Sequence, residues 1–282
     1  MALICILIGI IFDRASELLE SRRNFDWFNR YSRWLFRTLP GLDNQQNSSI
    51  VILLLPIVIL MWLLQNWLDD RLLGLTELLF GLVIFAYSLG PRDLNRQVDR
   101  YLEAREAGDE EAAYNAACDI MQDEAPSDND QQLVDVMRAI LHEANDRFFA
   151  VIFWFVILGP MGALFYRLSS YTMRNSGSAT LANAARHLQA ILAWAPAHLV
   201  AMGYALTGNY EGAKQEFGSK NRIEDLYENN YLTLIAAGQG ALKDCAPGDE
   251  SACIRSARAL VLRTLVVWLA FIAILTLMGW MS

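Results

Sequence analysis

A basic surplus is missing from this chain, whose formal net charge is −8. Nucleic-acid binding needs a positive footprint, so that class of partner is excluded. Cysteine is scarce, with four residues in 282. Cys5, Cys118, Cys245 and Cys253 do not join the histidines at zinc-site spacing, and no metal site is expected. Cys5 sits in an apolar run and reads as a packing residue. Cys245 and Cys253 fit either a bridge in an oxidising compartment or free cytoplasmic thiols. A phosphate-cradling loop is also missing. Gly208-Asn209-Tyr210-Glu211-Gly212-Ala213-Lys214 has glycines and a lysine but lacks the Gly-Lys pair followed by Ser or Thr. Met1–Phe12 is apolar without a basic start or a small-residue cleavage site, so no cleavable leader is expected.

The most telling absence is charge in the longest apolar runs. Ile50–Leu68, Phe148–Tyr166 and Thr264–Met281 contain no Asp, Glu, Lys or Arg, and Leu72–Gly90 contains only Glu77. A helix rises about 1.5 Å per residue, so roughly 20 apolar residues cross the hydrocarbon core. Only helices and closed barrels satisfy their backbone polar groups in lipid, and these runs are continuous rather than alternating. The expectation is an all-α, polytopic helical membrane protein with helical cytoplasmic segments. A fifth apolar segment, Leu181–Thr207, includes Arg186, His187, Pro196 and His198. Basic residues decide whether it spans. Segments 13–49, 91–147 and 208–258 carry six Lys or Arg each, whereas Asp69–Arg71 and Leu168–Thr180 carry one each. Cytoplasmic loops keep the basic residues, so Leu181–Thr207 is expected to span and the three basic segments to be cytoplasmic. Cys245 and Cys253 are then cytoplasmic thiols.

The expected organisation follows. Residues 1–49 hold an apolar segment and an amphipathic helix that lies on the inner membrane surface or packs on its own bundle, and 50–90 hold two transmembrane helices. Residues 91–147 form a helical cytoplasmic insert. Residues 148–207 hold a span with a Gly-Pro break and a second span. Residues 208–258 form a cytoplasmic helical loop, and 259–282 a last transmembrane helix. Within the insert, Leu94, Val98 and Tyr101-Leu102 recur at helical spacing, and Gly108-Asp109 breaks the run, with Asp109 placed to cap Glu110–Met121. Gln131–Arg147 is read as a helix entering the span at Phe148.

Candidate chemistry is sparse. His187 and His198 stand eleven residues apart, about 16 Å along a helix, too far to share a metal. His142 falls in a polar cluster with Arg138, Glu143, Asn145, Asp146 and Arg147. That cluster reads either as a solvated helix end with a Glu143–Arg147 pair or as a polar pocket at the inner membrane surface. Glu77 lies in a span, close enough to Arg71 to snorkel to the interface. In Gly159-Pro160-Met161-Gly162, the proline frees a carbonyl and the glycines admit a second backbone.

The order of these pieces resembles a known family. Ile11-Phe12-Asp13-Arg14 precedes two spans, Leu89-Gly90-Pro91-Arg92-Asp93-Leu94 and an insert with Ala107-Gly108-Asp109. Asn145-Asp146-Arg147-Phe148-Phe149, Phe153-Trp154, Gly159-Pro160 and Trp194-Ala195-Pro196-Ala197-His198-Leu199 follow. The set resembles the AmpE family, inner-membrane proteins linked to β-lactamase induction and ampicillin resistance. That family is similar to the CobD/CbiB adenosylcobinamide-phosphate synthases of cobalamin biosynthesis. Their Glu-Asn-x-x-Asp element falls on His142, Glu143 and Asp146, keeping only the aspartate. Tyr166-Arg167 matches a Tyr-Arg pair, and His198 replaces an arginine.

The resemblance implies a bacterial inner-membrane, multi-pass regulator linked to β-lactamase induction and cell-wall sensing, non-catalytic on a cobinamide-synthase-like scaffold. Its expected ligand-binding residues are Arg138, His142, Glu143, Asn145, Asp146, Arg147, Gly159, Pro160, Tyr166 and Arg167. No cofactor is expected. Expected partners are membrane lipid and a cell-wall-derived small molecule or a regulatory protein. The alternatives are a related membrane enzyme using Asp123, Asp146, Tyr166 and Arg167 on another substrate, and a transporter.

Overall fold

A computed structural model describes residues 2–15, 24–39, 48–68, 75–89, 93–219, 224–242 and 250–279. Regular structure among them is entirely helical. In chain order the elements are α1 (Ala2–Ala15), α2 (Asp26–Thr38), α3 (Ser48–Leu68), α4 (Leu75–Ser88), α5 (Leu94–Ala107), α6 (Glu110–Met121) and α7 (Asn129–Ala144). A π-helical turn, Asn145–Phe149, follows, and then α8 (Ala150–Asn175), α9 (Ala179–Thr207), α10 (Tyr210–Ser219), α11 (Leu226–Ala241) and α12 (Glu250–Leu277).

Four helical stretches among the described residues are long and apolar enough to cross a membrane: Ser48–Trp67, the run Asn129–Asn175, Ala179–Thr207 and Ser251–Leu277. The weak fifth segment therefore qualifies, as one uninterrupted helix. Of the expected span Leu72–Gly90, the described part is the 14-residue α4, about 21 Å long and short of the roughly 30 Å core. The helix boundaries follow side-chain caps. Asp93 accepts from the Asn95 N–H, Asp109 from the Ala112 N–H and Asp128 from the Gln131 N–H, at 2.9, 3.0 and 3.1 Å. Each occupies an orphan donor of the first turn. Gly108 closes α5 in the left-handed region, at φ 71°, which glycine adopts without strain.

The chain divides into two compact units. The first comprises Met1–Pro91, Ala150–Ala193 and Leu275–Ser282. Its core joins Phe25, just before α2, and Phe28 and Leu35 of α2 with Ile50, Leu53, Leu54 and Ile57 of α3, Leu164 and Leu168 of α8, and Leu181, Ala184 and Ala185 of α9. Elsewhere in this unit α1 packs on α4, where a methyl at Gly9 would meet the Phe85 ring at 2.5 Å. The second comprises Arg92–Phe149 and Trp194–Ile274. Its core runs from Leu94, Val98 and Tyr101 through Val136, Ile140, Leu141 and Phe149 to Val200, Leu234, Ile254 and Leu260.

The amphipathic segment, described over Asp26–Thr38, packs on other helices of its own unit, the second of its two expected positions. The Asn29 side-chain N–H donates to the Tyr171 hydroxyl at 2.7 Å, and the Phe25 and Phe28 rings lie 4.8 and 6.0 Å from the Tyr171 ring. These contacts bring α2 to the Leu168–Thr180 end of the unit, where the basic-residue count had put the two on opposite faces. Cys253, expected as a free thiol, is instead disulfide-bonded; Cys5 and Cys118 are free. Pro91 and Arg71 lie outside the described residues.

Candidate functional site

The polar cluster at the end of α7 is buried. Chain geometry widens there: Asn145–Phe149 adopts the π form, and four of its five residues are buried. Such wide turns are rare and recur at functional positions. Arg147, only 1% exposed, is held on three sides. Its Nε donates to Glu143 Oε2 at 2.9 Å, Nη1 to Gln97 Oε1 at 2.5 Å and Nη2 to the Ile120 carbonyl at 3.3 Å. Gln122 Nε2 donates to the same Glu143 oxygen at 3.1 Å. Gln97 is anchored in turn, its Nε2 donating to the Asp119 carbonyl at 2.9 Å. The Glu143–Arg147 spacing is the one expected, but the pair is not a solvated helix end. The amide of α5, the α6 carbonyl and Gln122 after α6 supply the partners that a buried charge pair requires.

Around this network stand the remaining cluster residues. His142 is partly buried, its Nδ1 3.6 Å from Glu143 Oε1, beyond hydrogen-bond range. The His142 ring lies 5.0 Å from the ring of Tyr231 and 6.4 Å from that of Tyr227, both on α11. Burial pushes the Tyr231 phenol above its ordinary range, with Arg138 opposing and Asp135 and Glu228 reinforcing. Arg138 Nη1 pairs with Asp135 Oδ1 at 3.1 Å. Asp146 is buried. Asn145 is fully buried, and neither its Oδ1 nor its Nδ2 has a hydrogen-bond partner. An orphaned buried amide costs about 1–3 kcal/mol and calls for a partner.

The other four expected residues belong to the first unit. Gly159 has φ 68° and ψ −157°, which interrupts α8. Pro160 then stands in the first turn of the helix that resumes, where its missing N–H is harmless. A methyl at Gly162 would lie 2.4 Å from the Trp154 carbonyl oxygen. Eight residues of straight helix rise about 12 Å, so the chain bends sharply here. The glycine therefore admits its own helix rather than a second one. A methyl at Gly159 would meet the Gln65 side chain of α3 at 3.0 Å. Arg167, 6% exposed, donates from Nε to the Ser88 carbonyl at 2.6 Å, and Tyr166 is fully buried.

The ten expected site residues thus fall into two groups, six in the second unit and four in the first. Asp123, weighed for catalysis, is exposed and accepts from the Glu124 N–H at 2.8 Å. Sequence reasoning passed over Gln97 and Gln122, whose roles appear only when α5 and α6 pack beside α7. It also passed over Gln189 on α9, fully buried with neither amide atom hydrogen-bonded. Among the described residues no group of three His, Cys, Asp or Glu is arranged to hold a metal.

Long apolar helices with a broken span and a buried ion-paired cluster define a multi-pass helical membrane protein. The whole chain, residues 1–282, matches the family described as regulatory signalling modulator protein AmpE, and it belongs to that family. It is also similar to the cobalamin biosynthesis protein CobD of Stutzerimonas stutzeri (strain A1501), at 29% identity over 199 residues, covering 67% of this chain and 61% of the relative. The CobD of Chromobacterium violaceum is 27% identical over 201 residues, covering 69% of this chain and 62% of the relative. The chain therefore spans about three fifths of the length of these curated relatives. No solved structure matches it.

Proposed function

We propose that the chain is an inner-membrane regulator acting in β-lactamase induction and cell-wall sensing, without catalysis, on a scaffold shared with the cobinamide-phosphate synthases. The observation that carries this reading is the internal engagement of the cluster's strongest charges. Arg147 reaches Glu143, Gln97 and the Ile120 carbonyl, all within the protein. A guanidinium engaged this way is not available as a preorganised donor to a charge developing on a substrate. Asn145 and His142 are the recognition residues, Asn145 because its buried amide is unmatched and His142 because its ring faces the Tyr227–Tyr231 wall. The ligand is a cell-wall-derived small molecule or a regulatory protein.

Two single substitutions test this. Asn145→Ala and His142→Ala should alter inducible β-lactamase activity while membrane abundance stays unchanged. An unaltered induction curve in both variants contradicts the site. Glu143 and Arg147 are poor probes, because removing either leaves the other charge buried alone.

A second reading is an enzyme related to CobD, favoured by the 27–29% identity to those relatives. ATP turnover by detergent-purified protein, dependent on an added carboxylate and lost in Asp146→Asn, supports the enzyme. Absence of turnover with corrin and amino-alcohol phosphate favours the regulator.

A further inference from the structure

The second unit contains a cavity of about 400 Å³. Thr207, Gly208 and Asn209 line it from the end of α9, Ser256 and Arg263 from α12, and the last residues of α11 close it. Gly208 and Asn209 open the Gly208–Lys214 stretch that lacks a nucleotide-binding pattern. Asn209 caps α10, its Oδ1 accepting from the Gly212 N–H at 2.9 Å, and its own N–H donates to the Ala241 carbonyl at 3.0 Å. That leaves the Nδ2 amide of Asn209 as a donor, in a cavity that Ser256 also lines.

Arg263 is the one cation among the described lining residues, and no carboxylate is among them. It is exposed and donates to two backbone carbonyls, that of Ala259 through Nε and that of Thr207 through Nη1, both at 3.3 Å. These bonds are long. A phosphate oxygen is a stronger acceptor for a guanidinium and matches its forked geometry.

Position along the helices selects the source of that phosphate. Ser256 and Arg263 are seven residues apart, two turns on one face of α12. Val267, Phe271 and Ile274 continue that face and are exposed, as are Leu199, Met202 and Leu206 on α9. All lie in helices long and apolar enough to cross a membrane. The arginine thus stands at the polar end of an exposed apolar face, the level at which phospholipid phosphates lie and at which basic side chains snorkel.

We propose that this cavity binds the phosphate of an anionic membrane phospholipid, with Arg263 as the principal contact, Ser256 and Asn209 as supporting donors, and the acyl chains along the exposed α9 and α12 faces. Native mass spectrometry of the detergent-purified full chain tests it. Phosphatidylglycerol, a diacylglycerol with the same acyl chains and inorganic phosphate are titrated separately. Phosphatidylglycerol should bind about tenfold more tightly than diacylglycerol, the scale of one charge-assisted contact. Arg263→Gln should abolish that preference and Arg263→Lys should retain part of it. Ser256→Leu, which fills the cavity and leaves the arginine in place, should also abolish it, so the result does not depend on one variant folding. Equal phosphatidylglycerol affinity in wild type, Arg263→Gln and Ser256→Leu overturns the site. Displacement of the lipid by millimolar inorganic phosphate overturns the lipid as its ligand.

Discussion

Arg147 shows what single residues do here. Its guanidinium is held by a carboxylate, an amide and a carbonyl at 2.9, 2.5 and 3.3 Å. Arg147→Ala leaves Glu143 buried without its cation, which costs about 3–5 kcal/mol. Denaturant unfolding of the purified protein should show that loss, and the double variant Glu143→Gln with Arg147→Met should recover much of it. A single-variant loss below about 1 kcal/mol contradicts the network. Tyr231 gives a pH signature. Its phenol is raised above the ordinary value of 10.0, by burial first. The folded state therefore holds this proton more tightly than the unfolded chain does. The resulting stability is fully present below pH 10 and declines as pH rises through the folded value. Tyr231→Phe should remove that part of the alkaline slope in a melting-temperature series; an unchanged slope contradicts it. The sequence displayed the Glu143–Arg147 spacing and the polar composition of the cluster. It did not display burial, because Gln97 lies 50 residues upstream of Arg147 and no local pattern announces that pairing.

Elements were more legible than side chains. Asp109 caps α6 as its position after Gly108 suggests, and α9 forms over the weak apolar segment. The break in α8 was visible in Gly159-Pro160, but not its depth. The left-handed φ of Gly159 and the approach of Trp154 to Gly162 arise from packing across the bend. Gly162→Ala places a methyl 2.4 Å from a backbone oxygen, an overpacking that costs about 1–3 kcal/mol. Pro160→Ala, at a first-turn position, should cost less than 1 kcal/mol. Thermal unfolding in detergent should rank the two in that order, and the reverse order contradicts the bend. The helix α2 was legible as amphipathic, whereas its partner was not. The Phe25–Phe28 ring contacts with Tyr171 join residues about 145 positions apart.

At the scale of the whole molecule, scarcity of charge was the readable signal. Uncharged stretches longer than a globular core needs mark the membrane helices directly. The division into two units was not readable, because each unit is assembled from separate stretches such as Arg92–Phe149 and Trp194–Ile274. Local periodicity carries no record of which stretches meet. The chain belongs to the AmpE family, and its longest helices are long and apolar enough to lie in lipid. Alkaline carbonate extraction of membranes containing the full chain tests that most directly. The account predicts that the protein stays in the membrane pellet and enters solution only with detergent. Release into the carbonate supernatant as a folded, monodisperse species would contradict it.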